Sequence, residues 1–190
     1  MNNLIQKVIL FLFNRRLNKQ LKTVEREKRF VNYESARSVI LLFESDYLEK
    51  NSEIKQLIQT FYNDGKKVMA WGYVQKKEIS TAILPDFRIL HQKDADFTGM
   101  PNDTFMRELE ELNFDLLIDL SVNENKPLQY LALYANAACK VGTHNYPGMF
   151  DVVIDVQQLK EENQLNEVDT TAIQIYNHLF FYLKSIQTND

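Results

Sequence analysis

Residues 38–43, Ser38-Val39-Ile40-Leu41-Leu42-Phe43, are a short, continuous apolar run. Such a run is typical of a strand that is buried on both faces of a parallel sheet, whereas a half-buried strand would alternate apolar and polar residues. A helical pattern follows over residues 48–63 and ends at Asp64-Gly65, and a second apolar run follows over residues 67–74. The sequence therefore predicts a β-α-β unit here.

The same alternation continues toward the C-terminus. Further strands are predicted at residues 87–91, 115–120, 138–142 and 150–156, and further helices at residues 102–112, 126–137 and 168–186. Alternating strands and helices fold as an open parallel sheet with helices on both faces, joined by right-handed crossovers. The predicted fold class is α/β: a three-layer, doubly wound, mostly parallel sheet of five or six strands with a Rossmann-like order, formed by one domain over residues 31–190.

A long basic amphipathic helix is predicted before this domain, over residues 3–29, because that segment lacks Gly and Pro. Its apolar residues recur every three to four positions, at Leu10, Phe13, Leu17, Leu21 and Val24. A second stripe, rotated from the first by roughly 200° at 3.6 residues per turn, carries the predicted anion-binding residues Arg15, Lys19, Lys22, Arg26 and Arg29. We expect residues 1–30 to form a segment distinct from the domain.

The charge of the chain is divided unequally between these two parts. Residues 1–30 hold eight Lys and Arg against two Glu, a net charge of +6, while the remaining 14 basic and 24 acidic residues give −10. A basic segment on an acidic domain indicates an anionic partner.

That partner is a ribosome or RNA backbone, an anionic membrane or an acidic protein, or else the domain itself. In the membrane version, the residues that enter the interface are Leu4, Ile5, Val8, Ile9, Leu12 and Phe13. No aromatic residue lies within the cationic stripe, so we expect no base stacking and no sequence-specific reading of DNA. A third alternative is a homodimer that is formed through this helix.

A second candidate site lies where the strands end. In doubly wound sheets, ligands bind beyond the carboxyl ends of the strands, close to the point where the strand order reverses. The polar residues and glycine that the sequence places there are Ser45, Asp46, Gly72, His91, Asp119, Ser121, Thr143 and His144. Either they form a ligand crevice or they cap helices and solvate loops, as polar residues at such turns commonly do.

Several sites are excluded by what the chain lacks. The turn after the first strand contains Glu44, Asp46 and Glu49 and no glycine, which disfavours a dinucleotide pyrophosphate. No glycine-rich Gly-Lys-Ser/Thr loop and no Gly-x-Ser-x-Gly motif is present. The lone Cys139 excludes a disulfide framework and favours a reducing compartment. We therefore predict no cofactor, no metal and no assigned catalytic residue, in a cytoplasmic protein that in the membrane version is peripheral to the inner face.

Two resemblances add to this interpretation. Residues 114–120 (FDLLIDL), with Tyr130-Leu131-Ala132 and residues 137–142 (AACKVG), resemble a strand–helix–strand of heptosyltransferase-type glycosyltransferases. Those enzymes work in a cleft between two Rossmann-like domains, and this chain has room for one.

The second resemblance covers nearly the whole chain. The basic helix followed by residues 31–43, then Gly65-Lys66-Lys67-Val68, Trp71-Gly72-Tyr73-Val74 and Asp96-Phe97-Thr98-Gly99, is similar to an uncharacterised bacterial family of small Rossmann-like α/β proteins, a domain of unknown function. This resemblance implies the fold and a bacterial cytoplasmic setting, and it assigns no activity.

Two function classes follow from the sequence. The first is a non-enzymatic binding or adaptor protein that docks through its basic N-terminal helix on an anionic partner. The second is a single-domain ligand-binding protein or enzyme that acts on a small metabolite or nucleotide-sugar in the crevice.

Overall fold

The computed structural model describes residues 3–23, 26–46, 49–75, 86–155 and 172–185. In chain order, its elements are α1 (Asn3–Thr23), β1 (Ser38–Glu44), α2 (Glu49–Asn63), β2 (Lys67–Val74), β3 (Phe87–His91), α3 (Asp103–Glu110), β4 (Asn113–Asp119), α4 (Lys126–Tyr134), β5 (Asn136–Gly142), β6 (Val152–Val153) and α5 (Ala172–Ser185). A short 3-10 turn over Gln92–Asp94 follows β3.

The strands form one six-stranded, all-parallel sheet in the order β3-β2-β1-β4-β5-β6. The predicted α/β fold class is confirmed, and the order is that of a Rossmann-type sheet. The strand order reverses between β1 and β4, which pair directly through Val39 with Leu116 and through Leu42 with Asp119. The carboxyl ends of these two strands therefore frame the position where such sheets usually bind ligands.

Helices cover both faces of the sheet. On one face, α2 and α5 pack with side chains such as Phe61 and Leu179 against the odd-numbered residues of β1, including Leu41. On the other face, α3 and α4 pack over Ile40 and Leu42. Residues of both clusters are almost fully buried, so the core is divided by the sheet into two layers.

The N-terminal helix is part of the second layer. Phe13 and Leu17, both members of the predicted apolar stripe, are buried in the cluster that contains α3 and α4. Leu10 and Leu21 of the same stripe are 45% and 40% exposed, and Val24 lies outside the described residues. The helix is therefore fastened to the domain through the middle of its apolar stripe.

Several predicted elements differ in length from the observed ones. α1 ends at Thr23 rather than at residue 29, and residues 26–30 are not helical; the Arg29 N–H donates to the Ala138 carbonyl beside β5. α4 ends at Tyr134 because Asn136 already pairs with Asn113 in the sheet. β6 comprises only Val152–Val153, the part that pairs with β5. The predicted residues 168–171 lie outside the described residues.

Candidate functional site

The crevice at the β1/β4 reversal is built around a buried carboxyl group. Asp119, the last residue of β4, is 0% exposed, and its Oδ1 accepts hydrogen bonds from the Ser121 N–H at 3.0 Å and the Ser121 hydroxyl at 2.7 Å. Its Oδ2 is buried and has no hydrogen-bond partner among the described residues. Burial raises the pKa of Asp119 above its usual range, against the hydrogen bonds from Ser121 and the nearby His144.

Thr143 and His144 join this carboxyl group from the end of β5. The Thr143 hydroxyl donates to the Ser121 carbonyl, and its oxygen lies 3.0 Å from His144 Nδ1. A hydroxyl has a single proton, and this one is used on the Ser121 carbonyl, so His144 Nδ1 acts as the donor. An imidazole that donates to a hydroxyl does not activate it as a nucleophile, so the pair is a positioning contact.

The other predicted crevice residues contact different partners. The Ser45 hydroxyl bonds Asn51 Oδ1 at 2.8 Å, so Ser45 fixes the start of α2, and the half-buried Asp46 follows it. His91 ends the edge strand β3 and contacts Asp94 through both its N–H and its ring Nδ1, at 2.8 and 3.3 Å. The prediction includes residues on both sides of the strand reversal, and the contacts described here connect those at the ends of β4 and β5.

Gly72 serves packing inside the sheet. A Cβ atom at this position would lie 2.6 Å from Phe43 Cζ and 2.8 Å from Ile89 Cδ1. Gly72 lies within β2, which pairs with Phe43 of β1 on one side and Ile89 of β3 on the other. The glycine therefore makes room for two side chains of neighbouring strands, and its predicted part in a ligand crevice stays a prediction.

The inner face of α1 is held by aromatic and cationic contacts. The Phe13 ring meets the Tyr130 ring edge-on at 5.1 Å between centroids, and Lys126 Nζ lies 4.5 Å from the Phe13 centroid. One helical turn on, Arg16 donates from NH1 to Thr98 Oγ1 at 2.9 Å and to the Tyr130 hydroxyl at 3.1 Å. These contacts fix the rotation of α1 about its own axis.

The outer face of α1 changes character along its length. At about 100° of rotation per residue, the residues within about 80° of one another on this side are Leu4, Val8, Phe11, Arg15, Lys19 and Lys22. Leu4, Val8 and Phe11 are 68%, 45% and 65% exposed, and the three cations are exposed as well. This outer face of α1 is thus apolar over its first half and cationic over its second. None of the described helices is long and apolar enough to cross a membrane.

Two of the five predicted anion-binding residues form ion pairs with the domain. Arg26 is 8% exposed in its side chain and pairs with Asp151 Oδ1 at 2.5 Å, while its NH1 donates to the Ala137 carbonyl at 3.1 Å. Arg29 remains 65% exposed but lies 3.6 Å from Asp115 Oδ1. Because α1 ends before these residues, they leave the cationic stripe, which retains Arg15, Lys19 and Lys22.

Two cations with structural roles were not predicted. Arg16 follows the apolar stripe between Phe13 and Leu17, a position whose contact with the domain could have been inferred from the helical spacing. Lys140 interrupts an otherwise apolar strand, and its Nζ donates to the carbonyls of Ala132 and Leu133 at the end of α4. Lys140 could have been singled out from the sequence, because it is a charged residue inside a buried strand.

The strand order and the position of the buried carboxyl group define a Rossmann-type α/β protein with an additional N-terminal helix. The chain belongs to the family of unknown function DUF6913, whose model matches residues 10–170. This agrees with the predicted resemblance to an uncharacterised family; the resemblance to heptosyltransferase-type glycosyltransferases stays a prediction.

The remaining comparisons add no function. The search of the curated proteins gives no match. Shikimate dehydrogenase 1 from Peptoclostridium difficile, a solved structure, is similar with 11% sequence identity and a TM-score of 0.28, over 88% of this chain and 61% of that chain. At that score the likeness carries no argument, and this chain spans less than two thirds of the dehydrogenase. The fold assignment rests on the strand order itself.

Proposed function

We propose that this protein attaches to anionic lipid membranes through the outer face of α1, as a non-enzymatic binding or adaptor protein. One observation carries the proposal: the exposed Leu4, Val8 and Phe11 lie on the same side of the helix as the exposed Arg15 and Lys22. On an anionic membrane, the first half of this face would enter the interface with its apolar side chains. The long cationic side chains of the second half would reach the headgroups.

The energetics favour such an attachment. Each apolar side chain that leaves water contributes about 25 cal/mol per Å² of buried area. Each Lys or Arg near an anionic leaflet adds about 1 kcal/mol, and this contribution is screened within a Debye length. The cytoplasmic leaflet is the anionic one, so a cytoplasmic protein would meet it from the inner face.

A further exposed phenylalanine lies near the contact between α1 and the domain. Phe97 is 76% exposed, and its neighbour Thr98 accepts a hydrogen bond from Arg16 on the flank of α1. A nucleic-acid backbone would satisfy the cations of α1 but would leave Phe11 and Phe97 in water. A membrane satisfies both kinds of side chain, so we favour it over RNA and over an acidic protein.

The crevice at the sheet reversal supports ligand binding less well. Its hydroxyl donors bond to neighbouring protein atoms: Ser45 to Asn51, Ser121 to Asp119 and Thr143 to the Ser121 carbonyl. Glu44 at the end of β1 adds negative charge where a nucleotide-sugar would place phosphates. Binding of a small metabolite there remains the second function class, and the buried Asp119 Oδ2 is the observation that favours it.

The test is co-sedimentation of the full chain with vesicles. We expect binding to vesicles of phosphatidylcholine mixed with phosphatidylserine and much less to phosphatidylcholine alone, with the bound fraction falling as salt is raised. Phe11→Ser and the double variant Arg15→Glu/Lys22→Glu should each reduce binding about tenfold or more, because each removes one of the two contributions.

The matched control is Phe181→Ser on α5, which replaces a phenylalanine that is similarly exposed, at 71%. It should leave vesicle binding unchanged. Binding that Phe11→Ser leaves intact, or no binding to anionic vesicles, would contradict the proposal. If the native chain without lipid has the mass of a dimer and Phe11→Ser has the mass of a monomer, a second copy covers this face instead. Retention of an RNA homopolymer in preference to vesicles would assign the face to nucleic acid.

A further inference from the structure

A cavity of about 260 Å³ lies between the end of α1, the segment that follows it and the amino end of β5. Its lining includes Gln20, Arg26, Lys28, Tyr134, Lys140 and Met149. The amino ends of the strands lie at the edge of the sheet opposite the crevice of Asp119. This cavity is thus separate both from the crevice and from the outer face of α1.

The charge of the lining is positive. Three of the lining residues are cations, and none of the lining residues that the structure describes is an acid. Outside the lining, Asp151 is paired with Arg26 on one oxygen and accepts from the Lys140 backbone N–H on the other, at 2.8 Å. One carboxylate against three cations leaves an excess of positive charge at the cavity.

Hydrogen-bond donors are also left over. The Lys140 ammonium has three N–H groups and uses two of them on the carbonyls of Ala132 and Leu133, at 2.6 and 3.2 Å. The Arg26 guanidinium has five and uses two, on Asp151 and Ala137. Lys140 is 4% exposed, so water cannot hydrate its remaining N–H as it would hydrate a surface lysine. Buried charged donors of this kind favour an acceptor that carries a negative charge.

Burial also changes the pKa of this lysine. Burial and the neighbouring Arg26 lower the pKa of Lys140 to about 7, against the attraction of Asp151. A bound anion would favour the protonated amine and raise this pKa, so its binding near neutral pH would be accompanied by proton uptake.

We infer that this cavity binds a small organic carboxylate, with the carboxylate group against Arg26, Lys28 and Lys140 and an apolar body against Leu21, Leu133 and Met149. The volume is slightly below the roughly 300–1,000 Å³ of pockets for drug-sized ligands, which favours a ligand of one ring or a short chain. The apolar wall favours a carboxylate with a hydrocarbon body over inorganic phosphate.

The test is calorimetric titration of the full chain with benzoate, with benzamide as the uncharged isostere and inorganic phosphate as the competing anion. Benzoate should bind, and benzamide should bind at least about tenfold more weakly because it cannot compensate the cations. In buffers of different ionisation enthalpy, the heat of benzoate binding near pH 7 should change in the direction of proton uptake.

Two variants and one control locate the site. Lys140→Met should weaken benzoate binding about tenfold or more and abolish the proton uptake. Lys28→Gln replaces an exposed side chain, so it keeps the test decisive even where Lys140→Met does not fold, and it should weaken binding several-fold. Lys67→Gln, an exposed lysine at the start of β2, should change nothing.

Each opposing outcome overturns the inference. If benzoate does not bind, the proposed ligand class is wrong. If benzamide binds equally well, the cavity does not recognise the charge of the ligand. Binding of phosphate in preference to benzoate would replace the carboxylate by an inorganic anion. Benzoate binding that Lys28→Gln leaves unchanged would place the ligand elsewhere on the molecule.

Discussion

The two faces of α1 contain similar side chains and have opposite surroundings. On the inner face, Phe13 is fully buried against Tyr130, whereas on the outer face Phe11 is 65% exposed. The arginines differ in the same way, since Arg16 bonds the domain and Arg15 is exposed. One helix therefore fastens to its own domain with one part and presents an apolar surface with the other. Composition alone therefore does not show which side of the helix is available to a partner.

The largest effect that would sharpen this comparison is on stability. Phe13→Ala should lower the free energy of unfolding by about 3–5 kcal/mol, because it opens a cavity in the layer of α3 and α4. Phe11→Ala should change it by less than about 0.5 kcal/mol, as exposed substitutions usually do. Urea unfolding of both full-length variants checks this. Equal losses would mean that the two faces are equally packed, and the comparison would fail.

The next effect concerns residues 26–30, the segment that follows α1. Arg26→Met should cost about 2–3 kcal/mol because it removes charge-assisted hydrogen bonds from a buried pair. Arg29→Met should cost less than about 1 kcal/mol, since its contact with Asp115 is an exposed ion pair. Thermal unfolding of the two variants provides the measurement. A loss at Arg29 as large as that at Arg26 would move the boundary between fastened and exposed residues.

A smaller effect is expected for the two consecutive arginines. Arg16→Ala should lower stability by about 1–2 kcal/mol through its bonds to Thr98 and Tyr130. Arg15→Ala should be neutral within about 0.5 kcal/mol. A double-mutant cycle of Arg16→Ala with Thr98→Val isolates the coupling, and strictly additive losses would show that the Arg16–Thr98 bond contributes nothing.

The smallest effect is a pH dependence of the same contact. Burial disfavours the Asp96 carboxylate, but hydrogen bonds from Thr98 and Met100 and the charge of Arg16 outweigh burial and lower the pKa of Asp96 below its ordinary 3.8. A lowered native pKa gives stability that is present above about pH 3.8 and is lost as the pH falls through the native value. Asp96→Asn should therefore be less stable than the native chain at pH 6 and approach it in acid. A stability difference that is constant with pH would refute this linkage.

Most of the fold could be predicted because its signals are local. The apolar runs of β1 and β2 are short and continuous, and the helices between them have a clear period. The end of α1 could not be predicted, since residues 24–30 contain no helix-breaking glycine or proline. Arg26 leaves the helical direction to reach Asp151, 125 positions away, and local periodicity does not report such a contact.

The candidate sites could likewise be predicted only in part. Asp119, Ser121, Thr143 and His144 come together because β4 and β5 are neighbours in both sequence and sheet. Ser45 and His91 were grouped with them from the strand-end rule alone, which does not say what each side chain bonds. The exposed cations Arg15, Lys19 and Lys22 follow from helical spacing. The cavity at Lys140 depends on three separate segments, so no local pattern could indicate it.

The thiol of the single cysteine can be used as a chemical probe of local opening of the structure. Cys139 is fully buried beside Val31, in the strand next to which residues 26–31 run, and burial raises its pKa, so the folded thiol is a poor nucleophile. A maleimide reagent would modify it only when the structure around it opens. The rate of modification, measured with and without vesicles, would show whether added lipid changes the frequency of this opening.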